Sequence, residues 1–259
     1  MSEKISLVVP CYNEEEVLPY FYEEFCKVAE KLSEFQVEVI FVDDGSKDRT
    51  LAIVKELAEK DTRVKYLSFS RNFGKEAAIY AGFQHADGDY VAMLDADLQD
   101  PPSMLPEMLR GIREEGYDSV ATRRVSRKGE PPIRSFFARR FYRLMNRIST
   151  AEIMDGARDY RLMTRQFKEA ILEISEYNRF SKGIFGWVGF KTKWIEFENV
   201  ERKAGETKWS FWKLFKYSLE GIIGFSTAPL AMVFYVGSRC MLYCFSIFNL
   251  HPYQNPLLR

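Results

Sequence analysis

Short apolar runs alternate with longer stretches of helical periodicity through the first half of the chain. Runs at 5–9, 37–42, 64–69 and 90–94 are followed by helical patterns over 14–32, 48–60, 75–85 and 102–115, and a fifth run occupies 119–122. This alternation predicts right-handed βαβ units and an α/β domain: a mostly parallel, Rossmann-like sheet with helices on both faces. Ligands of such sheets bind beyond the carboxyl ends of the strands. Polar residues cluster at those ends: Pro10-Cys11-Tyr12-Asn13-Glu14 after the first run, Asp43-Asp44-Gly45-Ser46 after the second, Asp95-Ala96-Asp97 after the fourth. Three segments far apart in sequence are thereby expected to meet on one edge.

The second half has a different texture. Residues 123–130 (RRVSRKGE) form a basic loop. Residues 134–149 read as a helix carrying Arg139, Arg140, Arg143 and Arg147, a face suited to solvent or to anionic lipid. A loop enters a short strand over 155–163, a further strand covers 191–200, and 201–209 (ERKAGETKW) is a basic loop. Phe211, Phe215, Leu219 and Ile222 then recur at helical spacing, with Lys213, Lys216 and Glu220 on another face, as in a helix lying in a membrane interface. From 227 to 250 the only charge is Arg239. That stretch is long enough to cross a bilayer, although an arginine at mid-span costs roughly 2.5–3.5 kcal/mol. The other reading is a buried helix of the domain. Basic residues flanking the span predict a catalytic domain on the cytoplasmic face of the membrane.

Composition narrows the function. Lys+Arg and Asp+Glu both total 37, which does not suit a strongly basic nucleic-acid binder. The four cysteines lack zinc spacing and fit free thiols in a reducing compartment. With two histidines, a histidine-based metal site or triad is not expected. Neither G-x-G-x-x-G nor a P-loop occurs, which argues against a dinucleotide cofactor. The polar start at residues 1–4 does not read as a signal peptide.

Asp95 and Asp97, two apart at a strand end, can reach one hard cation, Mg²⁺ or Mn²⁺, of the kind usually shared with substrate phosphates. Gln99 offers a neutral oxygen, and Pro101-Pro102 fix the start of the next helix. The plainer reading is a turn with solvated acids. Asp43 and Asp44 suit a nucleobase or ribose, with Gly45 for a tight turn and Asp48 for a helix cap; a turn and cap alone account for Ser46 and Asp48 but less readily for the two strand-tip aspartates.

Taken together, Pro10-Cys11-Tyr12-Asn13-Glu14, Asp43-Asp44-Gly45-Ser46-Lys47-Asp48 and Asp95-Ala96-Asp97-Leu98-Gln99-Asp100-Pro101-Pro102 resemble the motifs of family 2 glycosyltransferases with the GT-A fold. The likeness continues through Arg127-Lys128-Gly129-Glu130, Asp159-Tyr160-Arg161 and Arg202 to Trp209, and is nearest to the polyprenyl-phosphate branch. The resemblance implies an inverting transfer of a sugar from a nucleotide-diphosphate donor, UDP-linked in the first instance, to a polyprenyl phosphate carrier such as undecaprenyl phosphate. It implies that Pro10, Tyr12, Glu14, Asp43 and Asp44 line the nucleotide site, and that Asp95, Asp97 and Gln99 hold the metal. Arg124, Arg127, Arg202 and Lys208 would grip the acceptor phosphate, and Asp159 would orient the acceptor or those cations. Ala138 stands where the family often has serine, and Q-x-x-R-W of the processive synthases is absent. The expected organisation is a catalytic domain at 1–208, an interfacial helix at 209–225, and a transmembrane-like helix with a short tail at 226–259. A lipid bilayer is the expected partner, a homo-oligomer is compatible, and nucleic acid is not a partner. Two other readings are a sugar-1-phosphate nucleotidyltransferase and a non-catalytic membrane-associated sugar-nucleotide binder.

Overall fold

A computed structural model describes residues 2–124, 156–197 and 221–250, with the isolated positions 140, 143, 147, 154 and 219. Seven strands form one sheet: β1 (Lys4–Cys11), β2 (Gln36–Asp43), β3 (Val64–Ser68), β4 (Tyr90–Met93), β5 (Ser119–Arg124), β6 (Ala157–Thr164) and β7 (Thr192–Phe197). Their order is β3-β2-β1-β4-β6-β5-β7. All pairings are parallel except those of β6, which runs antiparallel to both β4 and β5. The start of β6 therefore lies at the same edge as the carboxyl ends of its neighbours.

Helices cover both faces. On one side, α1 (Leu18–Lys31) buries Leu18, Phe21, Phe25, Val28 and Ala29. That i, i+3, i+7, i+10, i+11 spacing is one stripe of an α-helix. The stripe packs with Leu7, Phe41 and Tyr160, and α4 (Leu105–Arg113) adds Met108 and Leu109. Each large apolar side chain buried there contributes about 1.5–3 kcal/mol. On the other side, α3 (Lys75–His85) buries Ala78, Ile79 and Phe83 against Val8 and Ile40. Gly82 lets it approach, because a Cβ would lie 2.2 Å from Val8 Cγ1. α2 (Thr50–Lys60) connects β2 to β3. Two helices that the sequence pattern did not reveal, α5 (Arg165–Glu173) and α6 (Ser181–Trp187), complete this layer through Phe167, Ile184 and Phe185.

α7 (Ala228–Leu250) is not packed into the domain: none of the apolar window Ala228–Phe248 is buried. The buried-helix reading is thereby set aside. Just before it, Phe225 packs edge-on against Phe180, with ring centroids 6.1 Å apart. The greater part of the expected interfacial helix, 209–225, lies outside the described residues.

Candidate active site

The loops after β1 and β2 are knitted together by short polar side chains. Asn13, at φ +53°, receives a hydrogen bond from Lys47 N and donates its own N–H to Ser46. Glu14 N donates to Thr50 and Glu15 N to Asp48, whose carboxylate also accepts from Thr50 N at the start of α2. Gly45 sits at φ +67°, and a Cβ there would lie 2.4 Å from the Arg71 carbonyl carbon. Only glycine fits that turn.

Asp43 and Asp44 are both buried. Asp43 accepts from Ser68 Oγ at 3.0 Å and from Ser46 N at 3.1 Å. Asp44 accepts from Phe73 N at 2.6 Å and Gly74 N at 2.9 Å, ahead of α3. Burial raises its carboxyl, offset in part by those amides. These two acids thus shape the β2 and β3 loops themselves. Pro10, Tyr12 and Glu14 sit half-buried along the rim of the same edge.

Beyond β4 the acids crowd. Asp97 is buried and accepts from Gln99 N, in a turn that takes Leu98 to φ +58°. Asp100, fully buried, is paired with Arg158 at 3.2 Å. Burial pushes its carboxyl up to about 6, against the pull of that guanidinium. Arg158 also donates to Gln99 Oε1 at 3.2 Å. The amide oxygen of Gln99 therefore faces a guanidinium, an unfavourable direction for a metal ligand.

One residue links these acids. Lys75, the first residue of α3, places its ammonium 2.6 Å from Asp95 and in contact with Asp159 on β6. Burial works against its charge, but Asp159 and Asp95 more than compensate and raise its pKa. Asp159 also pairs with Lys182 on α6 at 3.5 Å. Burial alone would raise the Asp159 carboxyl; Lys182 and Lys75 instead hold it well below the usual range. Asp95 moves the other way, raised by burial despite Lys75, with Asp159 and Asp97 adding to the rise. Lys75, Arg158 and Lys182 were not singled out in the sequence, and Asp100 stood in the quoted motif without a role. Lys75 carries a signal nonetheless, since a cation in the first turn opposes the helix dipole unless acids lie opposite.

Of the residues expected to grip an acceptor phosphate, Arg124 ends β5 with its side chain outside the described positions, and Arg127, Arg202 and Lys208 lie outside the described residues altogether.

Residues 6–172 match Glycosyl transferase family 2. The chain belongs to this family. Among the relatives of this glycosyltransferase, the bactoprenol glucosyl transferase of Shigella phage SfV is 45% identical over 234 residues, spanning 90% of this chain and 76% of the phage protein. The prophage bactoprenol glucosyl transferase homolog of Escherichia coli is likewise 45% identical over 234 residues, with the same 90% and 76% shares. A solved mannosyltransferase, PcManGT of Pyrobaculum calidifontis in complex with GDP-Man and Mn²⁺, superposes with a TM-score of 0.60 at 17% identity. That superposition covers 86% of this chain and 64% of that one and shows the GT-A-like α/β fold.

A divalent cation fits the Asp95–Asp97 turn by its chemistry. Both donors are carboxylate oxygens, as Mg²⁺ and Mn²⁺ prefer. Burial above all, with Asp159 and Asp97 adding, raises the Asp95 carboxyl, which marks a place where added positive charge is favourable. Among the described residues, however, no group of three His, Cys, Asp or Glu side chains stands ready to ligate a metal. A cation there would need oxygens from a substrate to complete its shell, and would compete with Lys75 for Asp95.

Proposed function

We propose that this glycosyltransferase moves glucose from UDP-glucose to undecaprenyl phosphate with inversion at the anomeric carbon. The observation that carries this reading is the meeting of Asp95 and Asp159 at Lys75, with Asp97 beside Asp95, at the carboxyl edge of the sheet in a chain that carries an exposed apolar helix. The names of the bactoprenol glucosyl relatives support the sugar and the carrier. A phosphate oxygen of the acceptor attacks the anomeric carbon, the bond from that carbon to the donor diphosphate breaks, and the electron pair leaves with UDP. The acceptor is already anionic near neutral pH, so positioning and charge neutralisation supply most of the rate. Asp95 and Asp97 would hold Mg²⁺ or Mn²⁺, which neutralises the departing diphosphate. Lys75 and Lys182 fix Asp159, and the three together orient the acceptor side. Asp43 and Asp44 support the nucleotide by holding the loops that line it, with Pro10, Tyr12 and Glu14 at the rim. Arg124, Arg127, Arg202 and Lys208 receive the acceptor phosphate in this reading.

The same reading assigns 1–208 to catalysis, 209–225 to the membrane interface and 226–259 to a span and tail. The basic stretches at 123–130 and 201–209 favour the cytoplasmic face. The test uses the full chain in membranes with Mn²⁺ or Mg²⁺, undecaprenyl phosphate and a panel of UDP- and GDP-sugars, followed by mass spectrometry of the lipid. Glucosyl lipid from UDP-glucose is expected, with Asp97→Asn slower by about 10²–10³-fold and an unchanged melting temperature. Near-normal turnover by Asp97→Asn sinks the metal assignment. Nucleotide exchange with release of pyrophosphate would favour a nucleotidyltransferase instead.

A further inference from the structure

A cavity of about 220 Å³ adjoins the active edge between β6, β7 and α6. Its lining includes Arg158, Arg161, Lys182, Thr192 and Trp194, and among the described residues that line it there is no carboxylate. Arg161 is the unusual member. It is 4% exposed, and no acid stands within ion-pair distance of it among the described residues. Its guanidinium is stacked among Phe185, Trp194 and Phe167, at 4.6, 5.4 and 5.7 Å from the ring centroids. Nη1 donates to Ser119 Oγ at 2.9 Å and to Thr192 Oγ1 at 3.2 Å. Nε is buried and has no hydrogen-bond partner. Burial pushes this guanidinium down to about 9, with Asp159 the one charge opposing the fall.

A buried cation without a counter-charge is costly, and so is a buried donor without an acceptor. An anion in the cavity would supply that counter-charge. The rings take the faces of the guanidinium and Ser119 and Thr192 hold Nη1, a fixed setting in which arginine can offer its remaining N–H groups to a phosphate oxygen. Lys182 ties the cavity to the active edge through Asp159. Phe185, Phe190 and Trp194 give the cavity an apolar wall as well. A cavity this size is too small for a nucleotide and suits one tetrahedral anion beside an apolar substituent.

We propose that the Arg161 cavity binds a phosphate monoester, with Arg161 as its principal donor. The proposal rests on this geometry and stands whichever sugar the donor carries. Two sources share the chemistry, the head group of a lipid phosphate and free phosphate.

The test uses the full chain in detergent or nanodiscs. Inorganic phosphate and undecaprenyl phosphate are titrated separately, following the thermal midpoint and the tryptophan fluorescence that Trp194→Phe removes. UDP-glucose binding is measured in parallel as a check on the donor side. Saturable binding is expected, weakened at least tenfold by Arg161→Gln and by Thr192→Leu, which fills the cavity while keeping the arginine, with UDP-glucose binding unchanged. If the KM for undecaprenyl phosphate rises in step in both variants, the lipid head group is the occupant. If that KM is unchanged while inorganic phosphate binding is lost, the occupant is free phosphate. Absence of saturable binding of either probe to the parent protein overturns the proposal. So does undiminished binding by Thr192→Leu, which carries the test if Arg161→Gln does not fold.

Discussion

At the amino ends of the parallel strands, Glu38 lies between Lys4 and Lys65, at 2.9 and 2.7 Å, and accepts a hydrogen bond from Ser6. Asp61 is gripped by Arg63 at 2.7 Å, and Asp89 by Arg165 at 3.0 Å. At the carboxyl ends the same residue types are arranged otherwise. Asp95 and Asp159 share one ammonium, that of Lys75, and Asp100 is held by an arginine that also serves Gln99. At the first edge Glu38 and Asp87 share Lys4, but Glu38 has Lys65 as well; at the second Asp95 shares Lys75 with Asp159 and is crowded by Asp97 besides. A carboxylate paired with a cation is a structural part. Carboxylates pressed together keep a demand for positive charge, which a substrate complex can meet.

Charge removal at each edge puts this contrast to the test. Lys75→Ala should have the largest effect: loss of the shared cation destabilises the metal-free protein by about 2–3 kcal/mol and lowers turnover by about 10²-fold. Thermal melts with and without Mn²⁺ would check it, because added cation should recover part of the stability but not the turnover. An equal loss in both melts would show Lys75 to be an ordinary structural pair. Glu38→Gln, at the opposite edge, keeps an acceptor for Ser6 while leaving Lys4 and Lys65 without their shared acid. It should cost about 2 kcal/mol in urea unfolding and leave the KM for the donor unchanged. Asp61→Asn should be mildest. Arg63 lowers the Asp61 carboxyl to about 2, below its unfolded value near 4. A lowered carboxylate adds stability above the unfolded pKa and loses it as pH falls through the folded one. The variant should therefore be less stable than the parent by about 1 kcal/mol at pH 7, discounted because Arg63 is partly exposed, with the gap closing between pH 4 and pH 2.

The strand–helix alternation and the acids at three strand ends were legible because both are local patterns. Strand β6 was visible as a short run, but its antiparallel place between β4 and β5 was not, since pairing across the chain leaves no local mark. The acids Asp95 and Asp97 could be read from spacing. Their neighbour Asp159 entered through family resemblance, and Lys75 was seen only as the start of a helix. Its partners come from the turn after β4 and from β6, 20 and 84 residues further on, and only the folded sheet brings them within reach. Arg161 hid for another reason. On β6 it alternates with Tyr160, and in sequence an arginine on a strand reads as an outward, solvated position. Seven strands with helices on both faces leave no such outward position at that point.

The reversed strand β6 has a consequence for how the site can be perturbed. β1 to β4 and their loops come from one uninterrupted run of chain, while Asp159 and Arg161 enter on the returning strand β6. A change that displaces β6 would therefore move Asp159 and Arg161 together while leaving the parallel pairing of β1, β2 and β3 as it stands.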